Sequence, residues 1–402
     1  MKKILPEAEA MQSELAAWRR ALHEYPETGM EVEKTAAFVF EKLKEMGYAP
    51  EYAADTGVVA LAGGKNPGRC FLLRADMDAL PITEESGEAF SSKNQYMHAC
   101  GHDMHTAMLL GAAKLLKARE EAIQGTVKLM FQPGEENLKG AKAMVAAGVL
   151  ENPKVEAAAM FHVSISTDFP AGTILVPPGG PFASAPDWFE IRIYGKGGHG
   201  ATPQNTVDPL NVMSHTHIAL QAIASREVAP DEVAIVTVGV MHGGNIANVI
   251  PDTAIMKGTI RTFNEKTRKF VIKRVQAIAK SVAETFRAKA EPIITEGCPA
   301  VVIDGKVAED LREALHDTFG KAVPSAASLV GLKMTGSEDF AYISQEMPAV
   351  LMMLSAGSAK EGYAYGLHHP KARFDEGVLY KGAAAYALAA MGWLNKNRPR
   401  QN

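Results

Sequence analysis

The stretch VPPGGP (176–181) and the run WFEIRIY (188–194) that follows it decide the fold, because the chain changes its pattern between them. WFEIRIY alternates as a strand of a half-buried sheet. Residues 207–225 then read as a helix, 233–241 and 253–263 as strands, 266–289 as a long helix and 290–295 as a last strand. That β-α-β-β-α-β order is the ferredoxin-like arrangement, and it uses about a hundred residues.

Working outward, both flanks follow another pattern. Upstream, the apolar runs at 58–61, 70–73, 127–131 and 157–161 read as buried strands. Between them 102–117 is helical, with Met104, Met108, Ala112, Leu115 and Leu116 at helical spacing. Residues 7–46 read as two helices broken at HEYPETG (23–29). Downstream, an apolar strand at 349–354 and a helix at 378–396 resume the alternation of an α/β layer. The expected architecture is therefore an α/β catalytic domain, 1–182 and 298–402, interrupted by a ferredoxin-like α+β lid over 183–297. A chain of 402 residues is long enough for two such domains.

Composition narrows the class of function. Lys and Arg number 42 against 46 Asp and Glu, a net charge of −4 that leaves no basic footprint for nucleic acid. Mean hydropathy is −0.07, and no apolar run approaches the ~20 residues of a membrane span. Near the start, Glu7, Glu9 and Glu14 stand where a signal peptide needs an apolar stretch. Cys70, Cys100 and Cys298 are an odd and sparse set, which argues for reduced thiols and a cytoplasmic protein.

The chemistry sits where strands end. The strand at 70–73 runs into Arg74, Asp76 and Asp78; that at 127–131 into Glu135 and Glu136; that at 157–161 into His162. Ligands of open α/β sheets bind beyond the carboxyl ends of strands, so three such endings point to one shared site. In HACGHDMH (98–105), Cys100 and His102 flank Gly101 just before a helix, so a thiolate and an imidazole could face one cation. Cysteine, histidine and carboxylate together suit zinc, manganese and related ions. Adjacent residues of an extended chain point in different directions, so one of Glu135 and Glu136 could ligate while the other accepts a proton from water, as metal-assisted hydrolysis requires. Taken singly, a Cys near a His, a Glu–Glu pair and the LHHP loop (367–370) are more often structural or solvated.

As an ordered set, RADMDALPI (74–82), HACGHDMHTAMLLGAA (98–113), FQPGEE (131–136), GKGGHGATP (195–203), NVIPD (248–252), GTIRTF (258–263), GSEDF (336–340) and LHHP resemble the M20 metallopeptidase family. The resemblance is narrowest to its aminoacylase-like amidohydrolase branch, which includes hippurate hydrolases, N-acyl-amino-acid deacylases and auxin-conjugate hydrolases. It implies hydrolysis of N-acyl-L-amino acids at a site of two divalent ions, Mn²⁺, Zn²⁺, Co²⁺ or Ni²⁺. By that resemblance Cys100 bridges the ions and His102, Glu136, His162 and His368 complete the set, with Glu135 as general base and Asp76 in support. His199 would stabilise the oxyanion, reaching across a homodimer interface formed by the lid, and Asn248 and Arg261 would hold the substrate carboxylate.

Three positions depart from the family pattern. Arg74 stands where the peptidase branch has histidine, which favours the cysteine-using branch. VSISTDFPAG (163–172) lacks a Trp-Pro character and bears on the acyl pocket, and Gln204 replaces a common His. His98, Asp103, His105 and His369 are expected to give supporting hydrogen bonds rather than to ligate. The rivals are a dipeptidase on the same scaffold, a non-catalytic amino-acid-binding protein and a hydrolase with a cysteine nucleophile.

Overall fold

The computed structural model describes residues 3–399. In chain order its strands are β1 (Glu51–Ala53), β2 (Gly57–Gly63), β3 (Asn66–Asp76), β4 (Gln124–Gln132) and β5 (Ala157–Ser164). There follow β6 (Ile174–Leu175), β7 (Gly180–Ala183), β8 (Ala185–Tyr194), β9 (Gly198–His199) and β10 (Ala234–His242). The remainder are β11 (Val249–Ile250), β12 (Thr253–Thr262), β13 (Lys289–Glu296), β14 (Val301–Ile303) and β15 (Ala349–Ser355). The chain divides into two compact units. One runs to Gly180 and adds Val302–Leu332 and the chain from Asp339 onward; the other is Pro181–Val301 with Lys333–Glu338.

In the first unit seven strands form a sheet in the order β1-β2-β4-β3-β5-β15-β6. Its middle strands β4, β3, β5 and β15 are parallel neighbours. β5, AAAMFHVS, is buried throughout, and β15, AVLMMLS, nearly so. Such continuous apolar strands occur where both faces of a sheet are covered. The register aligns the carboxyl ends, with Asp76 opposite Gln132 and Ser164 opposite Ser355, so whatever follows these strands emerges at one edge. The helix Leu379–Lys396 is rich in small buried residues and fastens two of these ends. Its Tyr386 hydroxyl donates to the carbonyl of Arg74 (2.8 Å) and accepts from the Phe161 N–H (3.0 Å).

The N-terminal segment forms three helices rather than two, Ile4–Ala10, Gln12–His23 and Glu33–Glu45. The extra break is at Met11, whose N–H turns back to the carbonyls of Ala8 and Glu9. The helix His102–Lys117 has the bounds its spacing implies.

In the second unit β10-β12-β8-β13 form an antiparallel sheet. Numbered in chain order these strands run 2-3-1-4, with helices Pro209–Ala222 and Glu265–Thr285 between them, which is the ferredoxin-like topology. Phe189, Ile191 and Ile193 alternate inward from β8 to meet Met256 and Ile260 of β12 and Val212, Leu220, Val271 and Val275 of the helices. The helices start where their caps dictate: Asp208 accepts from the Leu210 N–H and Asn264 from the Thr267 N–H, each at 2.8 Å. A buried bidentate pair, Arg268 to Asp187 at 2.7 and 2.9 Å, ties the second helix to β8. The unit boundaries fall at 180/181 and 301/302, against 182/183 and 297/298 read from the sequence. Lys333–Glu338 also belongs here, through the Met334 N–H to the Phe182 carbonyl (2.8 Å) and the Ser184 hydroxyl to the Thr335 carbonyl (2.8 Å). Among the described residues no helix is long and apolar enough to cross a membrane.

Candidate metal centre

The aligned edge of the first unit gathers the ligand-type side chains. β3 ends in Asp76, and Asp78 lies two residues on. β4 ends at Gln132 and turns through Pro133 and Gly134 into Glu135 and Glu136. β5 carries His162, and His102 opens the helix His102–Lys117 directly after Cys100 and Gly101. Gly101 has φ +85°, and a Cβ there would lie 2.4 Å from Cγ2 of Val163, so only glycine lets Cys100 and His102 turn toward one point. His368 arrives from the C-terminal part of the unit. Its own φ of 64° is left-handed, a conformation that costs a non-glycine residue about 1 kcal/mol or more, and its N–H is held by the Ala99 carbonyl at 3.0 Å.

These side chains converge. Sγ of Cys100 lies 3.5 Å from Nε2 of His162 and 3.2 Å from Nε2 of His368. Nε2 of His368 is 3.5 Å from Oε1 of Glu136. Nε2 of His102 is 3.7 Å from Oδ2 of Asp76, 3.9 Å from Oε2 of Glu135 and 4.0 Å from Oε1 of Glu136. Cys100 belongs to two donor groups at once, one with His102 and His162, the other with Glu136 and His368. Most of these spacings are too long for hydrogen bonds. The spacings of 3.2–3.5 Å around Cys100 and His368 match the donor separation of about 3.4 Å expected around a tetrahedral ion with bonds of about 2.1 Å. Nε2 of His102 and Oε1 of Glu136 are buried without a hydrogen-bond partner among the described residues. Buried polar atoms rarely stay unpaired, and these two sit where an ion would satisfy them.

The far sides of the rings are tied down. Nδ1 of His102 faces the Asp78 carbonyl at 2.8 Å, and Nδ1 of His162 faces the Val163 carbonyl at 2.7 Å. A carbonyl only accepts, so both rings carry hydrogen on Nδ1 and can present an Nε2 lone pair to an ion.

Electrostatics point the same way. Burial pushes the Cys100 thiol well up, and the charges of Glu136 and Glu135 add to that. Burial likewise pushes Glu136 up to about 7, with Asp78 and Asp76 reinforcing it against the pull of His102. Burial opposes charge on His102, yet Asp76, Asp78 and Cys100 together raise its pKa well above the ordinary histidine range. Asp76 stays well below the carboxylate range despite burial, because His102, His105 and Arg74 face it. The cluster is short of positive charge, which is what a bound cation supplies. The residues fit a divalent metal.

Behind the donors stand residues whose parts the sequence does not reveal. Arg74, fully buried, donates to Asp76 (2.6 Å), Asp339 (2.8 Å) and Gln132 (2.9 Å), and Gln132 in turn donates to Asp339 at 2.8 and 3.0 Å. His105 donates from Nδ1 to Asp76 (2.6 Å) and accepts the Val163 N–H at Nε2 (2.8 Å), so it braces rather than ligates. Asp103 is held by Arg19 (2.6 Å) and His23 (2.8 Å), and His23 reaches Glu84 at 3.2 Å. RADMD and GSEDF carry Arg74 and Asp339 in sequence, but a contact across 265 positions leaves no local signal.

Of the other expected supports, His98 is buried with no hydrogen-bond partner at either ring nitrogen among the described residues, contrary to expectation, and His369 accepts the Lys371 N–H at 3.0 Å. His199, Asn248 and Arg261 belong to the second unit. His199 is exposed on β9, where its Nδ1 accepts the Ala201 N–H at 3.1 Å. Asn248 precedes β11, which pairs with β9, and its carbonyl accepts the Gly200 N–H at 2.8 Å, so these two are neighbours. Arg261 lies on β12, half-buried, its guanidinium 5.8 Å from the Trp188 ring centre.

An α/β sheet that gathers cysteine, histidine and carboxylate donors, with a further buried glutamate beside them, defines a metal-dependent hydrolase. Residues 72–392 match Peptidase family M20/M25/M40, and the chain belongs to that family. It is 38% identical over 380 residues to an N-acetyl-L-cysteine deacetylase of Bacillus subtilis (strain 168), covering 94% of this chain and 87% of the relative. It is 35% identical over 403 residues to thermostable carboxypeptidase 1 of Saccharolobus solfataricus, covering 98% and 99%. The crystal structure of the Bacillus subtilis YXEP protein, described as a dinuclear metal binding peptidase of the M20 family, superposes with a TM-score of 0.82 at 32% identity over 96% of this chain and 99% of that one.

Proposed function

We propose that this chain hydrolyses the amide bond of N-acyl-L-amino acids, releasing a carboxylic acid and a free amino acid. The observation that carries the reading is the position of Cys100 in two donor groups, with Glu135 outside both and its Oε2 3.9 Å from Nε2 of His102. Cys100, His102, Glu136, His162 and His368 would hold two divalent ions, of Mn²⁺, Zn²⁺, Co²⁺ or Ni²⁺. When bound, such ions supply Lewis acidity, lowering the pKa of water and polarising the scissile carbonyl.

The chain's own residues do the rest. Glu135 accepts the proton of the attacking water and returns it to the departing nitrogen. Asp76, braced by Arg74 and His105, keeps negative charge next to His102 and so favours its ligand role. His199 donates to the developing oxyanion, and Asn248 and Arg261 bind the substrate carboxylate. The second unit acts as lid and homodimer contact. A cytoplasmic setting suits a reduced Cys100, since an oxidised sulfur would not ligate.

A second reading, cleavage of dipeptides or C-terminal residues, is favoured by the likeness to the Saccharolobus carboxypeptidase. A panel of N-acetyl and N-benzoyl amino acids against unblocked dipeptides separates the two, with metal content measured on the same sample. Activity should vanish with a strong chelator and return with one of the four ions. Full turnover by metal-free protein would end both readings.

A further inference from the structure

Glu135 and Glu136 can divide their labour only if the backbone between them is held, since one free peptide rotation would let either carboxylate take the other's place. We infer that Asp78 is the positioning residue that aims this pair, gripping both of its amides. The inference rests on the hydrolase reading above and adds a residue to it that neither ligates nor transfers a proton.

Asp78 is fully buried beyond the end of β3. Its own backbone is pinned on both sides, by the Met77 N–H to the Gln132 carbonyl (2.8 Å) and the Ala79 N–H to the Glu27 carbonyl (2.7 Å). From that fixed place Oδ1 accepts the Glu135 N–H at 2.9 Å and Oδ2 accepts the Glu136 N–H at 3.1 Å. Its carbonyl accepts from Nδ1 of His102 at 2.8 Å. One residue thus touches a ligand ring, the ligand carboxylate's amide and the base's amide.

The turn that bears the pair satisfies its other groups internally. The Gly134 carbonyl accepts the N–H groups of Lys139 (3.1 Å) and Gly140 (3.0 Å), and the Glu135 carbonyl accepts that of Leu138 (2.7 Å). Gly134 enters the turn at φ +66°, where a Cβ would meet Sδ of Met30 at 2.4 Å. Two consecutive N–H groups remain at the head of the turn, and such a pair forms a cradle for an anion. Asp78 fills it. A third buried carboxylate beside Glu135 and Glu136 is electrostatically unfavourable, so its charge is not the reason for it. An amide offers one acceptor oxygen where a carboxylate offers two, and two amides need holding.

Substitution at 78 removes the carboxylate, whose Oδ1 also lies 3.6 Å from Nδ1 of His102, and leaves the shorter carbonyl contact with that ring, so the change falls chiefly on the grip on the pair. Asp78→Asn and Asp78→Ala in the full chain should lower kcat for an N-acetyl-L-amino acid roughly 10–100-fold, the usual cost of removing a support behind a metal site. KM should stay within about twofold, because no substrate contact is lost. Calorimetric titration of chelator-stripped protein with Mn²⁺ alone should show weaker binding in both variants, more so for Ala. Hydrogen–deuterium exchange of peptides covering 133–138 should be slow in wild type and fast in the variants. In a Glu135→Gln background Asp78→Asn should cost much less kcat than in wild type, because the base it aims is already gone.

Unchanged kcat and Mn²⁺ affinity, or an equal loss in both backgrounds, would overturn the inference. If a variant fails to fold, the wild-type exchange measurement still decides, since open-loop exchange at Glu135 and Glu136 contradicts a grip by Asp78. If Glu135→Gln alone turns over at the wild-type rate, the general-base assignment is what fails; if wild type cleaves no N-acyl amino acid, the hydrolase reading fails, and in either case the exchange and Mn²⁺ measurements continue to judge Asp78 separately.

Discussion

Glu135 and Glu136 are adjacent in sequence and differ in surroundings. Oε1 of Glu136 is buried 3.5 Å from His368, while Glu135 has Oε2 beside His102 and no place in the Cys100 groups. Glu135→Gln preserves shape and removes the proton acceptor, so metal content should persist while turnover falls ~10²–10⁴-fold. Glu136→Gln should instead weaken metal binding in the same assay. A second residue-scale expectation concerns His23, whose pKa is raised because Asp103 and Glu84 outweigh its burial. Glu84, despite its own burial, is drawn down to about 2 by His23, Ser86 and Ser92. A raised histidine contributes stability that is complete below its ordinary value of 6.5 and is lost as pH rises through its folded pKa. A depressed carboxylate contributes above its ordinary value of 4.5 and loses that as pH falls toward about 2. Wild type should therefore exceed Glu84→Gln in stability by on the order of 1–3 kcal/mol between about pH 4.5 and 6.5. The gap should narrow on either side, and denaturant melts across pH 3–8 read it directly; a gap that is flat with pH would exclude the ion pair as its source.

Elements carry their own expectation at the junction of Gly101 with the helix His102–Lys117. Ala at 101 would need φ near +85° and a shift of Val163, which costs a protein about 1–3 kcal/mol. Because Cys100 and His102 flank this residue, Gly101→Ala should lose metal affinity as well as melting temperature. An unaltered metal titration would show that the turn does not set the donors. The elements that were legible are those with a long period or an unbroken apolar run: the helix His102–Lys117, β5, β15 and the alternating β8. β1 and β6, three and two residues long, are too short to display any period and exist because neighbouring strands pair with them. The helix Gly305–Phe319 does not stand out in the sequence, although Asp304 caps it through the Val307 N–H at 2.8 Å. The candidate donors were legible as strand endings and motifs. Their supports were not, because Arg74 with Asp339 and Asp78 with the Glu135 amide are set by tertiary placement and by backbone N–H groups that have no letter in a sequence.

For the whole molecule the open question is which chain completes which site. His199 is exposed on the short β9–β11 ribbon of the second unit, a poor place for a structural histidine and a reasonable one for a side chain that meets substrate late. If two protomers share sites as the family resemblance implies, Glu135 comes from one and His199 from the other. His199→Ala and Glu135→Gln homodimers should then both be nearly inactive. Mixed and allowed to exchange, they form heterodimers in which one site carries both lesions and the other neither. Each heterodimer should work at about half the wild-type rate, and random exchange at equal amounts makes about half of all dimers mixed, so the mixture should recover about a quarter of wild-type activity. Recovery should follow the exchange time course, measured independently with differently tagged subunits. Exchange without recovery would assign His199 to its own subunit's chemistry or to none. A His199→Ala enzyme that is fully active alone would remove the residue from the oxyanion step.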